Sequence, residues 1–187
     1  MNDITTKRPI SRLQRYFSSE RPGLAAVIFG FVTLMTILGM LELSDPGESA
    51  LQAVRPTSGI VRWAALGILT LLWPLSTVVT HAVAKSRGFH ASFLKELHII
   101  GKAWILHILT LIVIDIVVIA LVSIGWTTLA EFWYISVRGG LLWVVFYPAA
   151  IESIYGPEVR SCLITFLTVL TLSLLVVASA LISRILP

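Results

Sequence analysis

Charge is what this chain has least of. Charged residues make up 13% of its 187 positions, where soluble domains carry roughly 25%. Hydrophobic residues reach 57% and the mean hydropathy is +0.91. So little polar surface cannot cover a water-soluble globule, which places the chain in the membrane-embedded class. Its length suits one compact bundle. The single cysteine, Cys162, excludes an internal disulfide and a cysteine metal framework. His90 and His98 have no ligand geometry, so neither a metal nor a cofactor is expected. Catalytic signatures are missing too: there is no G-x-S-x-G, H-E-x-x-H, phosphate loop or dinucleotide fingerprint. Ser136 and Ser153 have no base positioned by the sequence, and no soluble segment is long enough for a catalytic domain. An enzyme is not expected. No inverted repeat is evident, although Pro74 and Pro148 each interrupt an apolar run.

What is present is a series of long apolar runs. Leu24–Leu43 has the twenty residues needed to cross about 30 Å of hydrocarbon. It is too long for a signal peptide and no A-x-A site follows it, so it reads as an uncleaved first span. An acidic loop with Glu42, Asp45 and Glu48 comes next. The second run is about 61–84, with Trp73-Pro74 in its middle, where proline removes a backbone hydrogen bond and is expected to kink the helix. Gly88 then breaks the chain. Ser92 or His90 is placed to cap a lead-in helix whose Phe93, Leu94, Leu97 and Ile100 share one apolar face, with Lys95, Glu96 and Lys102 elsewhere. This helix runs into a third span at about 103–124, with a break allowed at Gly101. The fourth run, about 132–155, contains Arg138, Gly139-Gly140, Pro148 and Glu152; Trp126 and Trp133 near its start suit an interface. The fifth, about 162–182, carries Thr165, Thr168 and Thr171 at spacing three, a stripe fit for close helix packing.

The expected fold is therefore all-α: a polytopic bundle of five spans over residues 24–187, with four spans as the alternative if the fourth run only dips into the membrane. The net charge of +4 is no nucleic-acid footprint, because the basic residues sit between the apolar runs. Ten of the 14 Lys and Arg fall in the amino-terminal tail, the Lys85–Lys102 stretch and Arg160. The positive-inside rule then puts the amino terminus in the cytoplasm and the carboxyl terminus outside a cytoplasmic (inner) membrane. Within residues 1–23, Ile10, Leu13 and Phe17 share a helical face flanked by Arg8, Arg12 and Arg15. That pattern fits a short helix on anionic headgroups; a disordered basic tail is the other reading.

Asp115 follows four apolar residues and precedes seven, and an ionisable group in hydrocarbon requires a partner. It lies thirteen residues beyond Lys102, about 20 Å in at ~1.5 Å per residue. Arg138 lies six residues beyond Phe132 on a run of opposite direction, about 9 Å from the other edge. The two depths nearly coincide, which gives an expected Asp115–Arg138 ion pair: a structural clip, or part of a polar path in a small transporter or channel. His81, His107 and Glu152 lie at similar depth near the inner side, an expected polar cluster whose chemistry suits proton relay; headgroup or water contact is the plainer reading of His81 and Glu152.

RGFHASFLKELHII and YGPEVRSCLI, set in a kinked helix, a basic stretch and two further apolar helices, resemble the Yip-domain family of small membrane proteins. The likeness spans about two thirds of the chain, from about 59 to 182. It implies five spans, a cytoplasmic amino terminus and a carboxyl terminus on the opposite side, and no catalytic residues. The double glycine often found before the family's third span is reduced here to Gly88. Eukaryotic members have longer amino-terminal regions and associate with small GTPases; a tail of 23 residues resembles the prokaryotic type, and GTPase binding is not carried over. The implied role is non-enzymatic, organising lipids or partner membrane proteins, with a homo-oligomer or an accessory subunit of a larger complex as further expectations.

If Asp115 and Arg138 pair, the Asp115→Asn/Arg138→Leu double variant is better tolerated than the sum of the two single changes, read from the amount of folded protein in the membrane. Simple additivity excludes the pair.

Overall fold

The computed structural model describes residues 12–43, 59–126, 140–156 and 159–185. These are all-helical, as expected. In chain order they form α1 (Arg12–Ser18), α2 (Leu24–Leu43), α3 (Gly59–Ser86) and α4 (Phe93–Ser123). A π-helical turn, Leu142–Phe146, then leads directly into α5 (Tyr147–Tyr155), and α6 (Ser161–Ile185) closes the chain. By length and composition, one stretch among the described residues, Phe93–Leu121, is long and apolar enough to cross a membrane. Leu24–Met40, Leu142–Tyr155 and Ser161–Leu174 are shorter apolar helical stretches.

Local chemistry sets the α3–α4 junction. Gly88 adopts φ 82°, a conformation open chiefly to glycine. The Phe89 amide donates to the Ala84 carbonyl and the Gly88 amide to Lys85, the two bonds of a Schellman ending. Ser92, rather than His90, caps α4. Its hydroxyl accepts from the Lys95 amide at 3.3 Å and its carbonyl from the Glu96 amide at 3.1 Å. From there α4 runs for 31 residues through Gly101 without the break the sequence allows. α3 likewise continues through Pro74. The Ser76 and Thr77 hydroxyls both donate to the Trp73 carbonyl at 2.9 and 3.0 Å, adding bonds around the proline.

α4 is the axis of the molecule, contacting α1, α2, α3, the π turn and α5, while α6 lies on α3 and α5. Its buried side follows the three-and-four spacing of one helical face: Glu96, Ile100, Ala103, His107, Leu111, Ile114 and Val118. At Gly101, side chains of α2 and α3 close on the α4 backbone. A Cβ there would lie 2.7 Å from both the Trp73 ring and Val27. Trp73 fills that space, packs at a tilt against Phe31 with ring centroids 4.8 Å apart and donates its indole N–H to the Leu97 carbonyl at 3.2 Å.

Two readings of the sequence are corrected here. On the lead-in helix, Phe93 and Leu94 are exposed while Glu96 and Lys102 are fully buried. The apolar residues at its start do not define the inner face, because α4 arrives encased by other helices and polar groups seek partners inside. In the tail, α1 packs on α4 and α5. Phe17 is fully buried, and Leu13 and Tyr16 pack against the core. The apolar face of this basic helix meets protein, not lipid, and Arg12 and Arg15 are left outward.

All four long helices also point large apolar side chains away from the core. Phe29 on α2, Leu71 on α3, Ile116 on α4 and Phe166 on α6 are more than half exposed.

Gly101→Val is expected to destabilise the bundle by about 1–3 kcal/mol through overpacking, read as a lower unfolding midpoint. Gly67→Ala, with nothing within 4 Å of the added carbon, is expected to be neutral or stabilising.

Candidate functional site

A buried polar group is costly unless it is hydrogen-bonded. The buried polar groups of this chain collect where α3, α4 and α5 meet. Glu96, one turn into α4, is fully buried. Its Oε1 accepts the Tyr155 hydroxyl at 2.7 Å and lies 3.0 Å from Nδ1 of His81. The Glu96 side chain is 1% exposed and that of His81 34%, so the pair joins the interior to the surface. Glu96 Oε2 is closed off from solvent and has no hydrogen-bond partner. Two ring contacts hold the partners in place: Phe93 against His81 at 5.8 Å, and Phe89 against Tyr155 at 5.9 Å.

Further in, Tyr147 is fully buried and its hydroxyl donates to the Ser76 carbonyl at 3.1 Å. A phenol has one proton, so the bond of 2.7 Å between Tyr147 and Thr80 must be donated by Thr80. The bond of 3.1 Å between Thr80 and Thr168 is then donated by Thr168. Trp104 adds its indole N–H to the Ser76 hydroxyl at 3.1 Å. This chain of donors ties α6 to α3, α3 to α5 and α4 to α3.

Lys102 makes the third group. It is fully buried, and its ammonium donates to the carbonyls of Ser19 at 2.5 Å, Arg21 at 3.2 Å and Tyr16 at 3.4 Å. It also stands 5.5 Å above the Tyr16 ring. Burial pushes the Tyr16 phenol above its ordinary value, so the ring stays neutral beneath the cation. A positive charge at the carboxyl end of α1 is further favoured by the helix dipole. His98 Nε2 donates to the Pro22 carbonyl at 2.6 Å and fastens the next residues. Around these clasps Arg12, Arg15, Lys85, Arg87, Lys95 and Arg160 are exposed. Contacts between Lys95 and the Ile154 carbonyl, and between Glu96 and Tyr155, bring the start of α4 and the carboxyl end of α5 to one end of the bundle.

The site residues expected from the sequence are distributed differently. Asp115 is buried on α4, while Arg138 lies outside the described residues. No hydrogen bond or ion pair joins any two of His81, His107 and Glu152. His81 pairs instead with Glu96. His107 is buried with its ring edge toward Trp104 and no partner at Nδ1, and Glu152 is half-buried on α5. The polar cluster therefore forms around Glu96 rather than Glu152, because of the first turn of α4 only Glu96 faces inward. Of the threonine stripe, Thr168 bonds to Thr80, Thr165 is buried without a hydroxyl partner, and Thr171 donates to its own helix at Leu167. Thr168 thus contacts α3 within the chain. Glu96, Lys102, Tyr147 and Tyr155 are the residues the sequence reading missed. The signal was the spacing 96, 100, 103, 107 on an unbroken helix. Among the described residues, no group of three or more His, Cys, Asp or Glu is placed to hold a metal.

Lys102→Met is expected to release the α1 end. Charged hydrogen bonds contribute about 1.5–3 kcal/mol, so chymotryptic cleavage at Tyr16 and Phe17 in the folded protein is expected to rise roughly tenfold or more. Unchanged cleavage would show that α1 is held by apolar contacts alone.

Comparison with models of protein families, with curated proteins and with solved structures finds no match.

Proposed function

We propose that this chain is a multi-pass protein of the bacterial cytoplasmic membrane that acts without catalysis, in the manner of the Yip-domain proteins it resembles. In this reading the five spans lie at about 24–43, 61–84, 103–124, 132–155 and 162–182, with the amino terminus inside. The protein organises anionic lipids or partner membrane proteins through the basic end of its bundle. The observation that carries the reading is an inversion of polarity. Phe29, Leu71, Ile116 and Phe166 face outward while Glu96, Lys102, His107 and Asp115 are buried. A water-soluble fold hides the former and exposes the latter, whereas hydrocarbon demands the reverse. The outward cations around the α1 clasp support an inner face toward headgroups, each worth about 1 kcal/mol near an anionic surface.

A second reading is a small transporter or proton-relay protein using Asp115, Arg138, His107 and Glu152. What favours it is that His107 and Asp115 lie two helical turns apart on α4, both buried, with His107 Nδ1 unsatisfied.

Topology decides the first reading. In a Cys162→Ser background, single cysteines at Ser18, Ser86 and Ser123 are treated with an impermeant maleimide on spheroplasts. Ser123→Cys is expected to label directly, and Ser18→Cys and Ser86→Cys only after lysis. Labelling of all three from one side excludes the spanning arrangement. Proton uptake by vesicles carrying the protein, lost in His107→Gln, would favour the second reading.

A further inference from the structure

The Glu96 carboxylate is used on one side only. Oε1 takes two bonds, from Tyr155 and at His81, while Oε2 is sealed with none. A sealed oxygen has no room for an ion or a molecule, so the ligand that fits this group is a proton. The way in is His81. Its ring is one-third exposed, and with Nδ1 turned to the carboxylate the hydrogen on that nitrogen bridges to Oε1. A carboxylate beside Nδ1 fixes this tautomer and leaves Nε2 to exchange with water.

We propose that His81 and Glu96 form a proton-binding site that loads from water at His81 Nε2 and tightens the junction of α3, α4 and α5 when loaded. Without the proton, the junction holds a buried carboxylate met by two neutral donors. The proton converts the imidazole to imidazolium, and the same 3.0 Å contact becomes an ion pair at a desolvated position, where charge-assisted bonds are about twice as strong. The proton comes from water and returns to it; no other bond changes. The other titratable groups around Glu96 are few. Tyr155 and Tyr147 face it from α5. Lys95, beside it on α4, directs its amine to the Ile154 carbonyl at 3.4 Å. Lys85 lies one turn beyond His81 on α3 and Glu152 three residues before Tyr155 on α5, and Arg87 and His90 are exposed on the link. The site would report the acidity on the basic end of the bundle as a change in how firmly three helices are joined. The proposal stands whether or not those helices cross a bilayer.

The test is amide hydrogen exchange of the purified full-length chain over the His81–Ile100 stretch, corrected for intrinsic exchange, across mildly acidic to mildly alkaline pH. The wild type is expected to lose protection in one step as pH rises. His81→Gln, which keeps an N–H donor but cannot titrate, is expected to lose the step while remaining folded. Tyr155→Phe and His98→Gln are expected to retain it. Glu96→Gln, if it folds, is expected to lose it; the His81→Gln result decides the matter if it does not. A flat wild-type profile overturns the proposal, as does a step that survives in His81→Gln or disappears in His98→Gln.

Discussion

A charge removed from water must be met inside the fold, and α4 removes two within its first three turns. Glu96 and Lys102 are both fully buried, each at an effective cost of several kcal/mol before partners are counted. Their partners come from everything around them. Glu96 draws His81 from α3 and Tyr155 from α5; Lys102 draws the Tyr16–Arg21 carbonyls at the end of α1. One end of the bundle is therefore held by polar contacts of defined geometry, which carry direction that apolar packing lacks. Removing one partner of a buried charge typically costs 3–5 kcal/mol, so these contacts constrain the helices more sharply than their number suggests.

Other joints of the bundle are made by different means. At Gly101 the absence of a side chain lets the Trp73 ring and Val27 close on α4. Beyond it, neutral hydroxyls take over from charges: Thr168, Thr80 and Tyr147 form a directed chain that ends on the Ser76 carbonyl. The two charged clasps lie at one end and the neutral hydroxyls further in, while Asp115 is a further buried ionisable group along α4. The outward apolar faces complete the pattern, and the proposed membrane setting explains all three features together.

Several particulars were readable from residues alone. The apolar runs at 24–43, 61–84 and 162–182 correspond closely to α2, α3 and α6, since each is about twenty or more residues long with at most one charged residue, a length suited to a helix. Gly88 and Ser92 marked the turn and cap they form. The lead-in helix was misread on one assumption, that apolar residues mark the buried face. That rule holds for a helix lying against water, and Phe93 and Leu94 violate it while Glu96 and Lys102 are enclosed. In the basic tail the rule holds, and what differs is the surface that meets the apolar face. Its apolar face was assigned to lipid, and protein was there to receive Phe17.

Composition and periodicity by themselves determined that the chain is helical, where its long helices lie, and that its polar interior groups require partners. Each of these depends on residues near one another in sequence, through hydrogen bonds four apart or hydrophobicity summed along a run. Which partners they find was decided only by the tertiary structure. Glu96 is 15 residues from His81 and 59 from Tyr155, and Lys102 is 83 from Ser19. Depth along a helix places such groups at a level in the bundle, but which of several groups at that level meet depends on how each helix is rotated about its axis. That rotation is set by the packing of all the helices at once, and no local pattern encodes it.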